Sequence, residues 1–246
     1  MSKVRSHLRN PTFTSNRFLY FFISWPNRFF RLIKHLFVFL NLKNYPDESW
    51  SPFNILKNLG FWFLGAILLI ADLFAIPEFY ENMTFIFKSS TRPLTTSEKE
   101  HAVSIFGNEI LLNLVRIDER AHLGSKEHGI VYVGFHTINA WGKVPMHLLI
   151  HELVHVWQYE QFGSAYISHA LKAQQSKNGY NYGGSGALAE NMSLEFYHAF
   201  NYEQQAEIVE DYYRMTKGLT LRWIDPGGKN ADLLRFWVRQ INPAIS

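Results

Sequence analysis

The chain of 246 residues contains no cysteine, which excludes disulfide staples, thiolate nucleophiles and cysteine-type structural zinc sites together. It has no glycine-rich phosphate loop and no internal repeat, so nucleotide-hydrolysing and solenoid classes drop out as well. Acid is missing from one end. Between Met1 and Pro46 stand Lys3, Arg5, Arg9, Arg17, Arg28, Arg31, Lys34 and Lys43 without a single Asp or Glu. From Thr96 onward 13 basic residues face 16 acidic ones. The overall charge of +3 is thus a property of the N-terminal part. Its cations alternate with Phe, Tyr and Trp, which points to membrane lipid as the partner and gives no reason to expect nucleic acid.

What is present centres on Gly142–Gly163, GKVPMHLLIHELVHVWQYEQFG. The stretch reads as one helix, with Pro145 suited to a first helical position and Gly163 to a left-handed C-terminal stop. His151 and His155 are i and i+4, so their imidazoles share a face and can reach one Zn²⁺ at roughly 2.0–2.1 Å. Glu152 is rotated about 100° from His151, too far for a third ligand from that turn but placed to take a proton from a water that the ion activates. Chance alone gives an H-E-x-x-H in such a composition about 0.03 times. The alternative to a metal site is a hydrogen-bonded core pair. The helix is apolar almost all round, and burying two imidazoles and a carboxylate in it calls for a compensating charge.

A third ligand from the H-E-x-x-H-x-x-G-x-x-H pattern is excluded, because residues 158 and 161 are both Gln. The best region is Phe200–Asp211, where Asn201 can cap a helix with Gln204 as its capping-box partner and Glu203 and Glu207 share a face. Glu190 and Glu195 are weaker candidates, and a di-iron bundle built on Glu195 and His198 lacks the further Glu-bearing helices it needs.

HELVHVWQ followed by Glu203-Gln-Gln-Ala206-Glu207 resembles the gluzincin branch of zinc metallopeptidases. It is similar in particular to bacterial H-E-L-T-H-x-x-Q domains, some found beside contractile injection and VgrG-type secretion genes. The likeness covers roughly residues 94–217. It implies His151, His155 and Glu203 as metal ligands, Glu152 as general base and Glu207 as a carboxylate that orients a ligand histidine. Glu207 with Asp211 also fits an E-x-x-x-D form, in which Glu207 would be the ligand and Asp211 its support. Ala206 favours Glu203, because a small residue there lets the two helices approach. The resemblance further implies that the strand before the metal helix, expected at Ile130–Phe135, is a sheet edge along which an extended peptide lies.

In the N-terminal part, Arg17–Leu40 is dense in aromatics and is expected to break at Pro26, followed by an amphipathic interfacial helix. Leu59–Ile76 is an 18-residue apolar run, within the range that can span a bilayer, with Asp72 as its one acid and Pro77 after it. Basic residues precede it and Glu78 and Glu81 follow. That asymmetry predicts an inner-membrane protein with a cytoplasmic N-terminus and a periplasmic catalytic domain. The competing expectation is a helix packed on the domain with Asp72 hydrogen-bonded inside. Further on, Thr95 and Glu98 predict a capping box for a helix that Gly107 stops near Phe106, Leu112–Ile117 predicts a strand, and Asn230–Ile241 a last helix with Leu234 and Trp237 inward. The glycine-rich stretch Tyr180–Gly186, between the two helices in sequence, is expected as a plain surface loop, with a tyrosine that donates to an oxyanion as the alternative. His101, His122, His128, His136, His147, His169 and His198 have no metal spacing and are expected at the surface or behind the ligands.

The expected architecture is therefore α+β: a basic-aromatic region over residues 1–93 with an apolar helix at 59–76, then a zincin-like domain over 94–246. The function expected is a zinc-dependent metallopeptidase acting on a peptide or protein substrate. The alternatives are a catalytically silent zincin-fold binding module of a secretion system and a cell-wall peptide amidase.

Overall fold

A computed structural model describes residues 17–38, 52–88 and 90–245; the basic residues Lys3, Arg5, Arg9 and Lys43 and the end of the expected helix at Leu40 lie outside them. The fold is α+β, mostly helical with one small mixed sheet. Its first helices are α1 (Arg17–Val38), α2 (Pro52–Leu73) and α3 (Ile76–Phe87). The strands are β1 (Thr91–Pro93), β2 (Arg116–Asp118), β3 (Tyr132–Gly134) and β4 (Thr137–Asn139), with α4 (Thr96–Phe106) after β1 and a π-helical turn at His122–Lys126. Then follow α5 (Met146–Phe162), α6 (Tyr166–Gln174), α7 (Gly184–Glu190), the single turn α8 (Phe196–Ala199), α9 (Tyr202–Thr216) and α10 (Gly228–Arg239).

The sheet order is β1-β2-β4-β3, antiparallel except for the β2–β4 pair. β3 therefore occupies an edge, as expected, although it is shorter than Ile130–Phe135. The strand expected at Leu112–Ile117 shrinks to residues 116–118, because the residues before it form tight turns in which Leu114 N–H bonds the Leu111 carbonyl. β4 was not anticipated. It follows a two-residue hairpin turn in which Phe135 takes φ 62, a conformation that an aromatic residue adopts only when tertiary contacts hold it. The capping boxes of α4 and α9 form as the sequence predicts, Thr95 with Glu98 and Asn201 with Gln204. Pro145 is the residue before the first helical turn of α5 rather than within it.

α5 crosses the centre of the molecule, buried from Leu149 to Glu160 on every side. α9 lies against it, and Leu234 and Trp237 of α10 close the core from the other side with no exposed area. This packing is what lets charged residues in the middle of α5 and α9 meet out of water.

Two expectations about the N-terminal part are corrected. Pro26 does not break α1, which runs straight through it; the turns on either side are held by Arg28, whose Nε bonds Ser24 and whose guanidinium pairs with Glu78. Those tertiary bonds outweigh the roughly 3 kcal/mol that an internal proline costs. Nor does the apolar run form one helix ending at Pro77. α2 stops at Leu73, Ala75 adopts φ 55, and Pro77 sits in the first turn of α3, where its missing N–H is harmless.

Along α2 the face of Gly65, Ala66, Leu69 and Asp72 is buried. Asp72 accepts from the Ser164 N–H at 2.8 Å and from its hydroxyl, so the acid is bonded inside the fold. The approach depends on Gly163, where an added Cβ would stand 2.7 Å from Asp72 Oδ2 and φ is +74. Gly65 has the same role where α1, α2 and α6 cross, since a Cβ there would meet His35 at 2.8 Å. α1 and α2 run antiparallel. Arg17 at the start of α1 bonds Glu81 and the Leu114 carbonyl, while Arg28 reaches the Asp72 carbonyl near the end of α2. Both outer ends of this helical hairpin therefore meet the same domain.

The opposite faces are apolar and exposed. Phe22, Phe30 and Phe37 on α1, Phe53, Leu56 and Phe63 on α2, and Phe79 on α3 are each more than half accessible. Among the described residues α2 is the one helix long and apolar enough to cross a membrane, by length and composition.

His136, expected at the surface or behind the ligands, is 1% exposed. It stands between Glu81 of α3, at 3.6 Å, and Glu160 of α5, at 3.4 Å, while its backbone N–H donates to Glu81 at 2.7 Å. Burial disfavours its charge, but the two carboxylates outweigh that and lift its pKa to about 9. The folded value lies above the unfolded value near 6.5. The imidazolium therefore contributes stability in full below about pH 6.5 and loses it as pH rises through about 9. In thermal melts, His136→Gln is expected to lower Tm most near pH 6, with the gap to wild type closing by pH 9.5. A gap that stays constant over that range would remove His136 as a charged clamp.

Candidate metal centre

α5 and α9 bring the sequence-predicted residues together. His151 Nε2 and His155 Nε2 stand 3.5 and 3.3 Å from the same oxygen, Glu203 Oε2. All three residues are buried, and their donor atoms lie within 4.8 Å of one another. The separations match what an ion asks for: three donors at roughly 2.0–2.1 Å on a tetrahedron lie roughly 3.3 Å apart.

The imidazoles are aimed from behind. His155 Nδ1 bonds Gln158 Oε1 at 2.8 Å, and the Gln158 amide donates in turn to Gln205 and to the Tyr202 carbonyl, both at 3.0 Å. Gln158 thus occupies the position where the extended histidine motif has glycine, and supports the ligand instead of supplying one. His151 Nδ1 stands 3.2 Å from Glu210 Oε2 and 3.6 Å from Glu207 Oε1. Gln158 fixes the His155 tautomer that leaves Nε2 free to coordinate; His151 Nδ1 makes no hydrogen bond among the described residues, and Glu210 is the acceptor nearest to it.

The carboxylates divide by their other bonds. Glu203 Oε1 is held by the Gln174 amide at 2.8 Å, leaving Oε2 to the two imidazoles. Glu207 is engaged elsewhere, with Oε1 bonded to Arg222 at 2.6 Å and Oε2 to the Trp223 indole at 2.7 Å. A second buried group, His151, Glu207 and Glu210, also brings its donor atoms within 4.8 Å of one another; in the alternative with Glu207 as ligand, an ion would share its carboxylate with Arg222 and Trp223. Asp211 accepts from Tyr182 and from the backbone N–H groups of Arg222 and Trp223, so it fixes the segment that holds Glu207. The residue closest behind His151 is Glu210, which the sequence reading passed over. A signal was there, since positions 203, 207 and 210 fall on one face of a 3.6-residue helix. Glu210 also bonds His147 at 2.9 Å and Arg214 at 2.8 Å. Glu190 and Glu195 are exposed and belong to neither group.

Glu152 is 4% exposed and its Oε2 has no hydrogen-bond partner. Burial raises its pKa against the lowering pull of His151 and His155. Burial opposes charge on His151 as well, yet Glu203 and Glu210 carry its pKa up to about 10. Glu203 is held below the usual carboxylate range: burial opposes that, and the two imidazoles overcome it. Four carboxylates, Glu152, Glu203, Glu207 and Glu210, are thus collected around two imidazoles; Glu207 and Glu210 are paired with Arg222 and Arg214, and the set His151, His155 and Glu203 has the donor chemistry of a divalent-ion site.

Two neighbours complete the site. Tyr166 stacks on His155 at 28°, ring centroids 6.4 Å apart, and donates its hydroxyl to the Val133 carbonyl of β3 at 2.6 Å, which ties the edge strand to the start of α6. Tyr180, from the glycine-rich loop, is 39% exposed with its ring 6.2 Å from that of His151. It is the tyrosine of that loop that faces the centre, because Tyr182 is turned inward onto Asp211.

No family model, curated protein or solved structure matches the chain. The class that the fold and the site define is an α+β protein with a buried two-histidine, one-glutamate centre, and its function is read from that geometry.

Proposed function

We propose that the protein is a zinc-dependent metallopeptidase, with His151, His155 and Glu203 as the ligands of the ion and Glu152 as the general base. The observation that carries this reading is the convergence of both Nε2 atoms on Glu203 Oε2 at 3.3–3.5 Å beside a buried carboxylate oxygen, Glu152 Oε2, that has no hydrogen-bond partner among the described residues. A zinc ion bound there supplies a Lewis acid and lowers the pKa of water. The chain's own residues supply the rest. Glu152 accepts the proton from the attacking water and returns it to the leaving amine, a role that its burial-raised basicity suits. Gln158 and Glu210 hold the imidazole planes. Tyr180 is placed to donate a hydrogen bond to the oxyanion that develops on the scissile carbonyl. β3 lies at the sheet edge with its Val133 carbonyl held by Tyr166, and its remaining backbone groups would meet an extended peptide, in keeping with a zincin-like domain.

The test is metal analysis of the purified protein together with cleavage of a peptide library. About one zinc per chain with cleavage is expected. One zinc per chain with no cleavage of any peptide would overturn the enzyme reading in favour of a metal-holding binding module. Within an active enzyme, Tyr180→Phe is expected to lower kcat by roughly 10-fold or more with little change in KM; an unchanged kcat would remove the hydroxyl from the chemistry.

We also propose that the exposed apolar faces of α1, α2 and α3 hold the protein to a membrane. Contiguous exposed aromatics of this extent mark a lipid or protein contact. The placement differs from a single crossing: Arg17 and Asp72 both meet the domain and Gly65 packs against Ser168 of α6, so α1 and α2 lie along the domain and present their outer apolar faces to the bilayer. After a carbonate wash the full chain is expected in the membrane pellet, and the variant with Phe30→Glu and Phe63→Glu in the supernatant. Wild-type chain in the supernatant would sink the placement.

A further inference from the structure

Between α1, α2 and α6 lies a cavity of about 360 Å³, within the range of small-molecule sites and separate from the metal centre. Its lining is unusual in charge. Arg31 and Lys34 enter from α1, Lys172 from α6, and His35 and His169 stand beside them, while no Asp or Glu of the described residues lines it. Arg31 bonds a backbone carbonyl, that of Glu160, and not a carboxylate. Among the described residues neither Arg31 nor Lys34 has an acidic partner within ion-pair distance. The remaining wall is aromatic and aliphatic, with Phe61, Trp62, Leu69 and Phe162.

The cavity is built rather than incidental. His35 and Trp62 lock α1 to α2 by two reciprocal bonds, His35 Nε2 with the Trp62 carbonyl at 2.9 Å and Trp62 Nε1 with the His35 carbonyl at 3.1 Å. Their rings stack at 7°. The same helices turn Phe30, Phe37 and Phe63 outward. A cationic recess with an apolar wall, on helices whose outer faces are apolar, has the chemistry of a site for a molecule with an anionic head and a hydrocarbon tail.

We propose that this cavity binds the phosphate headgroup of an anionic phospholipid, with Arg31, Lys34 and Lys172 as the charged contacts. Guanidinium and ammonium groups together match a phosphodiester, Arg in a fork and Lys as a point charge. Basic pockets between membrane-facing helices are where headgroups are held specifically and not merely attracted. The proposal deepens the membrane placement above and can fail without it, because the binding is measured in detergent.

The full chain, in a neutral maltoside detergent, is titrated with phosphatidylglycerol, phosphatidylcholine and inorganic phosphate, and binding is followed by native mass spectrometry and Trp fluorescence. One phosphatidylglycerol per chain is expected to bind at least about 10-fold more tightly than phosphatidylcholine. The double variant Lys34→Gln with Lys172→Gln is expected to lose about 10-fold or more of that affinity. Lys143→Gln with Lys229→Gln, which removes the same charge from exposed positions outside the cavity, is expected to keep it. Equal binding of the two lipids, or equal loss in both double variants, would overturn the site and leave only general attraction of a basic surface. Inorganic phosphate binding as tightly as phosphatidylglycerol would overturn the lipid as its source and assign the cavity to a free phosphate ion. A chain that pellets with membranes yet fails these titrations would keep its membrane placement and lose this site.

Discussion

Glu152→Gln is expected to leave metal content and melting temperature close to wild type while peptide hydrolysis falls by at least about 100-fold. The two halves of that expectation have separate causes. Glu152 follows His151 on α5 and is rotated away from the face on which His151 and His155 meet Glu203, so exchanging its acid for an amide of the same shape removes no ligand. It would remove the carboxylate proposed to accept the proton. Because Glu152 Oε2 makes no hydrogen bond within the protein, no neighbour is left unsatisfied by the change. Zinc content by elemental analysis, Tm, and kcat on a cleaved peptide check all three quantities. Unchanged turnover would take Glu152 out of the mechanism, and loss of zinc would make it a ligand.

The second large effect separates the acidic residues of α9. Glu203→Ala should abolish stoichiometric zinc, whereas Glu207→Gln and Glu210→Gln should each weaken zinc by the roughly 10–100-fold typical of groups that only orient a ligand. The reasoning lies in the unequal demands on the three carboxylates. Glu203 presents an oxygen to both imidazoles at once, Glu207 is already bonded to Arg222 and Trp223, and Glu210 lies behind His151. The consequence extends to stability. At free zinc about 100-fold above Kd, the ion adds about 2.7 kcal/mol to a protein that binds it only when folded, and chelation should lower the Tm of wild type and leave that of Glu203→Ala unmoved. Stoichiometric zinc in Glu203→Ala together with its loss in Glu207→Gln would transfer the ligand role to Glu207.

The sequence by itself determined the local parts. A helix with His151 and His155 one turn apart is a matter of 3.6-residue periodicity, and the capping boxes of α4 and α9 need only partners three residues apart. Placing Glu203 and Glu207 on one face follows from the same arithmetic. It could not tell their surroundings apart, because Arg222 and Trp223, which bond Glu207, lie on a later segment and reach it only after the chain has folded back. The strand limits were lost for a similar reason: β1, β2 and β4 are three residues each, too short for an alternating pattern to show, and are held as a sheet by their pairing. In the N-terminal part composition disclosed the apolar faces but not their arrangement. Pro26 and Pro77 signal helix ends to local rules, and bonds to residues 50 or more positions away, Arg28 to Glu78 and Asp72 to Ser164, decided where the helices run and that both ends of the hairpin meet the domain. Local propensity is worth a few kcal/mol at most, and leaving one member of a buried charge pair without its partner costs about 3–5 kcal/mol, so the tertiary structure had the last word wherever the two disagreed.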